Sequence, residues 1–169
     1  LIILRILSHY NMESLNEADR IHLLAEATKL AYHQRDAYIS DPSFSEIPVD
    51  WLLSDEHIGK LQNQVDMAKA KSYGPSDFPS HTDTTYLCCV DVNGNAISFI
   101  NSLFSGFGSG IMTAKTGIVL QNRGSSFNLN PGHVNCIEGG KRPMHTIIPG
   151  MVTKDRKTIA PFGVMGGQY

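Results

Sequence analysis

Residues 84–103 read TTYLCCVDVNGNAISFINSL, which is the clearest structural signal in the chain. The first seven residues are β-branched, aromatic or apolar, and this composition predicts a strand that is covered on both faces. Asn93-Gly94 follows, a pair that is typical of a two-residue turn between antiparallel strands. Residues 96–100 (AISFI) form the predicted return strand. The segment therefore predicts a β-hairpin.

The predicted turn also fixes which residues face each other across this hairpin. Counting outward from a two-residue turn places Thr85 opposite Ser102 and Thr84 opposite Leu103. The first hydroxyl of the strand would then lie close to Ser102. Two interpretations stay open at this point, because Thr–Ser pairs across strands are common structural contacts and a hydroxyl cluster can also carry chemistry.

The part of the chain before the hairpin predicts helices. Residues 14–36 form the first, with Asn16 as the N-cap, Asp19 in the first turn and a polar face that contacts solvent. Its predicted packing face comprises Ala18, Ile21, Leu24, Ala25, Thr28, Ala31 and Tyr32, and its polar face comprises Glu17, Arg20, Glu26 and Lys29. A second helix begins after Ser54 and extends to about residue 67.

The remaining signals predict a loop and three more strands. Residues 71–83 are polar and contain Gly and Pro, which is typical of a flexible connection. Strand-like runs occupy residues 116–120, 147–153 and 158–162, and the charged segment 154–157 would be the turn between the last two. Helices followed by an antiparallel sheet indicate the α+β class with a layered arrangement.

Composition excludes several classes of protein. The chain has 169 residues with 18% charged and 41% hydrophobic residues, which is ordinary for a globular fold. A net charge of -2 with mixed signs provides no basic surface, so we expect no nucleic-acid partner. No apolar run approaches the roughly 20 residues of a membrane span, so none is expected.

Metal and nucleotide sites are also not predicted. The three cysteines, Cys88, Cys89 and Cys136, fit no zinc spacing, and we expect them to be buried thiols. The seven histidines show no ligand spacing either. The glycine-rich residues 106–110 lack the Gly-Lys-Ser/Thr of a phosphate loop and are better explained as a tight connection near the hairpin. The prediction is no cofactor and no metal.

Several motifs in order resemble one known family. Residues 81–96 (HTDTTYLCCVDVNGNA), 107–111 (FGSGI), 139–143 (GGKRP) and 163–167 (GVMGG) are similar to the start of the small subunit of the γ-glutamyltransferases, which are N-terminal-nucleophile hydrolases. Upstream, residues 23–27 (LLAEA) and 36–42 (DAYISDP) resemble the last part of that family's large subunit.

The resemblance implies an αββα sandwich that this chain covers only in part. Residues 1–83 would be the C-terminal part of the large subunit, ending in the flexible connection. Residues 84–169 would be the N-terminal part of the small subunit, whose sheet carries a catalytic threonine. The expected partners are the remainder of both subunits, because the chain looks like an internal portion of a longer protein.

The same resemblance implies a set of catalytic residues. The family cleaves itself before a threonine, which by position makes Asp83–Thr84 the cleavage site and Thr84 the nucleophile. Ser102 stands where the family has a threonine that hydrogen-bonds the nucleophile. Gly166 and Gly167 stand at the position of the oxyanion hole, where backbone N–H groups meet developing negative charge.

Cleavage before Thr84 makes physical sense because it creates a base. A threonine hydroxyl is a poor nucleophile when no nearby group accepts its proton. The new α-amino group has an unperturbed pKa of about 7.7–8 and lies within reach of its own hydroxyl.

The residues expected to bind substrate depart from the best-known members of the family. Phe104 stands where asparagine is usual, Arg123 where glutamine is, and Ser126 where an aspartate accepts the substrate ammonium. His145 and Thr146 replace two serines that bind a carboxylate. A lost anion and a gained cation favour an anionic acyl group over an ammonium, although Arg123 could instead form a structural ion pair and His145 could be structural. The pattern looks closer to a divergent γ-glutamyltransferase-like branch, some of whose members are described as cephalosporin-acylase-like.

The sequence thus predicts a self-processing amide hydrolase or acyltransferase. Its substrate would be a small-molecule amide, either a γ-glutamyl compound such as glutathione or a related acyl amide. The alternative is a non-catalytic binding or structural module of the same fold, which the altered acyl pocket would also suit.

Overall fold

A computed structural model describes residues 1–72, 83–145 and 149–165. The chain forms two compact units. The first contains described residues 1–72 and 128–142, and the second contains residues 83–127 with 143–145 and 149–165. Helices make up the first unit and β-hairpins the second, so the predicted α+β class is confirmed.

The first unit is a small helical cluster. Its helices are α1 (Ile2–Leu7), α2 (Glu17–Tyr38), α3 (Val49–Leu52) and α4 (Asp55–Gln62), with a short 3-10 turn over Met12–Ser14. The buried core comprises Ile6, Ala27, Leu30, Ile58 and Leu61. None of the helices in the described ranges is long and apolar enough to cross a bilayer.

Both predicted helix starts are confirmed. The Asn16 side chain accepts a hydrogen bond from the backbone N–H of Asp19 at 2.9 Å, and the Ser54 hydroxyl accepts one from the His57 N–H at 3.2 Å. The second helix ends at Gln62 rather than near residue 67. A local cause is visible in Asp66, whose carboxylate accepts the N–H of Ala68 and forms a turn that competes with helical hydrogen bonds.

The predicted packing face of α2 is wrong except at Ala31, which is buried. Ile21 and Leu24 are 60% and 43% exposed, whereas the buried positions are Leu23, Glu26, Ala27, Leu30, Ala31 and Gln34. Apolar residues occur on several sides of this helix, so periodicity alone does not select one face. The core contacts with α1 and α4 select the side that contains Ala27 and Leu30.

Glu26, predicted to be solvated, is fully buried. Its carboxylate pairs with Lys29 and accepts the backbone N–H of Lys71 at 3.3 Å, and Lys29 also donates to the Lys71 carbonyl at 2.7 Å. Burial raises the pKa of Glu26, but the hydrogen bonds from Lys29 and Lys71 together bring it below its ordinary value. This buried ion pair fixes residue 71 to α2.

Two of the family-like motifs meet in the first unit. Arg142 donates to the buried Asp41 carboxylate through Nη2 at 2.9 Å and Nε at 3.2 Å, and its backbone N–H adds a third bond at 2.9 Å. These bonds from Arg142 hold the pKa of Asp41 well below its usual range. A bidentate pair with three hydrogen bonds therefore joins residues that lie 101 positions apart.

His57 gives the first unit a predicted dependence on pH. Its ring is buried 3.9 Å from the Trp51 ring, between centroids, and burial with the nearby Lys60 charge lowers its pKa below the ordinary 6.5. The unfolded chain then binds more protons than the folded one as pH falls below 6.5, so stability decreases with acid. When pH is lowered from about 7.5 to about 5.5, the free energy of unfolding measured with urea should fall less in His57→Gln than in wild type.

Exposed His9 offers a matched control for this measurement. His9→Gln should keep the wild-type change in urea midpoint between the two pH values. Equal pH dependence in wild type and His57→Gln would contradict the assignment.

The second unit consists of two antiparallel hairpins. Strands β1 (Asp83–Val90) and β2 (Ala96–Phe104) form one, and β3 (Pro149–Lys154) and β4 (Lys157–Gly163) form the other. Two contacts link the hairpins. The Ser98 hydroxyl donates to the Phe162 carbonyl at 3.1 Å, and a Cβ added to Gly163 would lie only 2.4 Å from carbons of the Tyr86 ring. The predicted turn at 154–157 is confirmed. Residues 116–120 do not form a strand, because they begin within a turn over residues 114–116 and contain a single bridge, between Val119 and Met112.

The register of the first hairpin is one residue away from the prediction. The Asp91 carboxylate accepts the backbone N–H groups of Asn93 and Asn95, and Gly94 adopts a φ of 81°. The loop is therefore the three-residue type that closes with a left-handed glycine. Thr84, rather than Thr85, consequently pairs with Ser102. The expected proximity of the two hydroxyl residues is confirmed, and the two-residue turn is wrong.

The expectation that β1 is covered on both faces is also wrong for this chain. Leu87 and Phe99 are 49% and 48% exposed, and Cys88 and Cys89 are exposed rather than buried thiols. Among its described residues the second unit contains hairpins, loops and one short 3-10 helix (Arg123–Ser126), so no second layer within it covers these apolar side chains.

Candidate active site

Thr84 and Ser102 form the centre of the candidate site. The Thr84 hydroxyl donates to Ser102 Oγ at 3.0 Å, and the backbone N–H of Phe104 donates to the same oxygen at 3.0 Å. Both hydroxyl residues are half-buried. Because Ser102 accepts from two directions, it holds the Thr84 side chain in one orientation.

The bond predicted to be cleaved lies at an irregularity of the sheet. Asp83 pairs with Phe104 and Thr84 with Ser102, so Leu103 is an extra residue on β2 and the register shifts between Asp83 and Thr84. Phe104 has a φ of 82°, a left-handed conformation that is uncommon for a residue with a side chain. Bulges and such conformations are frequent beside active sites.

The glycine-rich connection after β2 is a tight turn. Gly108 has a φ of 57°, and a Cβ at this position would be 2.4 Å from the Leu120 carbonyl oxygen. Ser109 donates its backbone N–H and its hydroxyl to that same carbonyl, both at 2.8 Å. These contacts hold residues 108–109 against Leu120 and agree with a packing role rather than phosphate binding.

Asn122 was missed by the sequence analysis. Its side chain accepts the Ser105 N–H at 3.0 Å and donates to the Ser105 hydroxyl at 3.0 Å, while its backbone N–H donates to the Leu103 carbonyl at 3.2 Å. These bonds fasten the segment before Arg123 to the end of β2. The only sequence signal for this role was the position of Asn122 next to Arg123, a predicted site residue.

Arg123 lies on the face of the Phe104 ring. Its guanidinium carbon is 4.8 Å from the ring centroid, which is within the range of a cation–π contact. Both terminal nitrogens are buried, and neither has a hydrogen-bond partner in the described part of the chain. Burial lowers the pKa of this guanidinium, although an arginine remains charged at neutral pH.

Ser126 is buried, and its hydroxyl already has protein partners. It can donate to the Arg123 carbonyl at 2.9 Å or to the Met144 carbonyl at 3.1 Å, which joins a 3-10 turn (Arg123–Ser126) to residue 144. His145 follows in the chain and is exposed. The substrate-binding roles predicted for Phe104, Ser126 and His145 stay predictions.

Three predicted site residues lie outside the described residues. These are Thr146, Gly166 and Gly167, so the proposed oxyanion hole has no described geometry. The structure therefore brings together Thr84, Ser102, Phe104, Arg123 and Ser126 through successive contacts. Among the described residues, no group of three or more His, Cys, Asp or Glu side chains could hold a metal ion.

Substitution of Ser126 tests the structural use of its hydroxyl. We expect Ser126→Ala to lower the free energy of unfolding by about 1 kcal/mol, because the hydrogen bond from the buried Ser126 hydroxyl to the Arg123 or Met144 carbonyl is lost. Neighbouring Ser125 is exposed, so Ser125→Ala should stay within about 0.5 kcal/mol of wild type. Urea denaturation of both variants measures the difference, and equal effects would contradict the assigned hydrogen bonds.

Comparison with known proteins supplies the family. The Gamma-glutamyltranspeptidase family profile matches residues 1–169. The chain belongs to the γ-glutamyltranspeptidase family. This result confirms the resemblance seen in the ordered motifs around Thr84.

Two curated members of the γ-glutamyltranspeptidase family are each 38% identical to this chain. The Glutathione hydrolase-like YwrD proenzyme of Bacillus subtilis matches 99% of the chain, which covers 32% of that protein. The Oxamate amidohydrolase proenzyme of Klebsiella pneumoniae also matches 99% of the chain, which covers 31% of it. The chain thus spans about a third of the length of these relatives.

A solved structure supports the fold directly. The cephalosporin acylase from Bacillus halodurans is 40% identical, with a TM-score of 0.86 over 98% of this chain and 30% of its own. This similarity confirms the N-terminal-nucleophile hydrolase fold of the γ-glutamyltranspeptidase family, which the chain covers only in part. The assignment of residues 1–83 and 84–169 to two subunits stays a prediction.

Proposed function

We propose that this chain is part of a self-processing amide hydrolase or acyltransferase that uses Thr84 as its nucleophile. The observation that carries the proposal is the 3.0 Å hydrogen bond from the Thr84 hydroxyl to Ser102, directly after a bulge at the Asp83–Thr84 bond. Membership of the γ-glutamyltranspeptidase family supports the same chemistry.

The first chemical step would create the mature site. Thr84 Oγ attacks the carbonyl carbon of Asp83, the C–N bond to Thr84 breaks, and the nitrogen takes up the hydroxyl proton. Water then hydrolyses the resulting ester, which releases an Asp83 carboxyl group and restores the Thr84 hydroxyl. Ser102 positions this hydroxyl before the attack, because it accepts the hydrogen bond that fixes the Thr84 rotamer.

Turnover would repeat the attack on an external amide. The freed α-amino group of Thr84 accepts the hydroxyl proton as Oγ bonds to the substrate carbonyl carbon. The leaving amine departs with a proton, and an acyl ester remains on Thr84. Water or an acceptor amine then attacks this ester. Backbone N–H groups at Gly166 and Gly167 are the proposed stabilisers of the oxyanion.

The proposed substrate is a small-molecule amide. Relatives carry the names glutathione hydrolase-like, oxamate amidohydrolase and cephalosporin acylase, which differ in the amide they specify. We therefore propose γ-glutamyl or related acyl amides as substrates. The remaining parts of the large and small subunits would complete the site, and this chain alone is expected to be inactive.

A non-catalytic module is the second candidate. The observation that favours it is the altered pocket, in which Phe104 and Arg123 stand at positions where the family usually has asparagine and glutamine. Such a protein would keep the fold without needing the Thr84 amine.

Intact-mass spectrometry of the full-length protein that contains this chain separates the two candidates. Our proposal predicts two polypeptides, one of which begins at Thr84, and hydrolysis of an acyl-p-nitroanilide by the processed form. A single uncleaved polypeptide without hydrolysis would favour the module.

A further inference from the structure

Tyr86 lies two residues after the candidate nucleophile on the same strand. Side chains of a strand alternate between its two faces, so Thr84 and Tyr86 share one face of β1 and are about 7 Å apart along the strand. Both are half-buried, whereas Thr85 between them is exposed. The Tyr86 side chain is therefore on the same side of the hairpin as the candidate reacting hydroxyl.

The Tyr86 ring fills the space beside Gly163, the last residue of β4. A Cβ added to Gly163 would lie 3.0 Å from Cγ of the ring and closer still to Cδ2 and Cε2. Rotation of the ring about its own axis leaves Cγ in place, so the ring cannot avoid such a group by rotating. The close approach of Tyr86 to the end of β4 therefore requires a glycine at position 163.

Gly163 precedes the residues proposed to stabilise the oxyanion. Gly166 and Gly167 follow it by three and four positions, and both lie outside the described residues. Three residues of chain span at most about 11 Å, so the position of Gly163 limits where these N–H groups can lie. The Tyr86 ring connects that position to the strand that carries Thr84.

The Tyr86 hydroxyl makes a separate contact. It lies 2.9 Å from Ser98 Oγ, which donates to the Phe162 carbonyl. This connection reaches β4 one residue before its end, whereas the ring lies against Gly163 itself. Loss of either hydroxyl would remove hydrogen bonds and leave the ring packed on Gly163. The ring, rather than the hydroxyl, is therefore the part of Tyr86 that fixes the end of β4.

We propose that Tyr86 is a positioning residue whose ring holds the end of β4 where the N–H groups that follow can reach an oxyanion formed at Thr84. This inference rests on the proposed function, including the roles of Gly166 and Gly167. An oxyanion hole acts in the transition state, so loss of the ring should lower kcat and leave KM nearly unchanged.

Substitutions of Tyr86 in the full-length protein that contains this chain separate the ring from the hydroxyl. Loss of one oxyanion-hole donor costs about 100- to 1000-fold in kcat, and we expect its displacement in Tyr86→Ala to cost about tenfold or more. Tyr86→Phe keeps the ring and should retain kcat within about twofold, and KM should stay within about twofold in both variants. Equal losses of kcat in Tyr86→Ala and Tyr86→Phe would overturn the assignment to the ring.

Hydrolysis of γ-glutamyl-p-nitroanilide and of glutaryl-p-nitroanilide provides the rates, and the substrate that wild-type protein hydrolyses faster is used for every variant. We express kcat per molecule with a free Thr84 amino group, counted by intact-mass spectrometry. Incomplete processing of a variant then does not appear as a loss of turnover.

Gly163→Ala tests the same contact from the other side. The added methyl group would push the end of β4 away from the Tyr86 ring, so kcat should again fall about tenfold or more at nearly constant KM. Unchanged kcat in this variant would contradict the proposal.

Gly150 is a matched control for Gly163. A Cβ there would also meet an aromatic ring, 2.6 Å from Cε1 of Phe162. That contact involves the far end of a side chain that is 47% exposed, so the Phe162 ring can move toward solvent. Gly150→Ala should therefore retain kcat within about threefold. A fall as large as that of Gly163→Ala would indicate a general effect of disturbing this hairpin and would overturn the role of Tyr86.

The double variant Tyr86→Ala/Gly163→Ala tests whether the two residues act through one contact. Tyr86→Ala vacates the space that the methyl group at position 163 needs, so the double variant should lose less kcat than the product of the two single losses. Losses that multiply would show independent effects and overturn the proposal.

The outcomes also separate this inference from the proposed function. Processed and active wild-type protein, with unchanged kcat in Tyr86→Ala and Gly163→Ala, would overturn the role of Tyr86 and leave the Thr84 proposal intact. Wild-type protein that is neither processed nor active would overturn both.

Discussion

Thr84→Ala is expected to leave the full-length protein that contains this chain as one uncleaved polypeptide without measurable amide hydrolysis. The methyl side chain has no oxygen to attack the Asp83 carbonyl, so neither the ester nor the free α-amino group can form. Both the nucleophile and its base are then lost together. Intact-mass spectrometry and hydrolysis of an acyl-p-nitroanilide measure the two consequences in the same preparation.

Two variants provide the controls for this result. Thr85→Ala removes the hydroxyl of the adjacent residue, which is exposed and paired with Asn101, so cleavage should proceed normally. Thr84→Ser keeps an oxygen at the same position and should still be processed. Efficient cleavage of purified Thr84→Ala at the Asp83–Thr84 bond would exclude the proposed mechanism.

Ser102→Ala has the second-largest expected effect. Loss of the Ser102 hydroxyl frees the Thr84 hydroxyl to rotate and also removes the acceptor for the Phe104 N–H. Misplacement of a reacting group by about an ångström can cost about a hundredfold in rate, and we expect kcat to fall by about that factor. The loss of hydrogen bonding should destabilise the protein by only about 1–2 kcal/mol.

Ser98 is a suitable comparison for Ser102 because it lies on the same face of β2 and also makes side-chain hydrogen bonds. Ser98→Ala should destabilise the protein to a similar degree with little change in kcat. Ser102→Thr should retain most of the turnover, since it keeps the hydroxyl. A parallel loss of activity in Ser98→Ala and Ser102→Ala would indicate that Ser102 acts only through stability.

The hairpin shows how far local sequence signals determine the site. Composition predicted two strands around Asn93-Gly94, and the structure has them. The pairing depended on the loop, where the Asp91 carboxylate accepts N–H bonds from Asn93 and Asn95 and stabilises a three-residue loop. Turn statistics for a dipeptide do not include such a bond. The one-residue difference places Thr84, the candidate nucleophile, directly opposite Ser102.

Contacts between distant parts of the chain were the features that sequence patterns could not predict. Glu26 resembles a solvent-facing residue in its helix, but Lys71 lies 45 positions away and supplies the N–H that satisfies its buried carboxylate. Arg123 could be a partner in an ion pair or a ligand for substrate until its surroundings are known. Its stacking on Phe104 depends on the end of β2 and the 3-10 turn Arg123–Ser126, which meet only in the folded unit.

The bidentate contact between Asp41 and Arg142 acquires a new meaning if the chain is cut before Thr84. These two residues lie in the same compact unit but on opposite sides of the proposed cut. Processing would change their ion pair from an intramolecular contact into one between two polypeptides. The low pKa of Asp41, held by Arg142, means that mild acid would not neutralise it. The two mature polypeptides would then remain associated, because residues 128–142 of the second polypeptide are part of the first compact unit, which the first polypeptide otherwise forms.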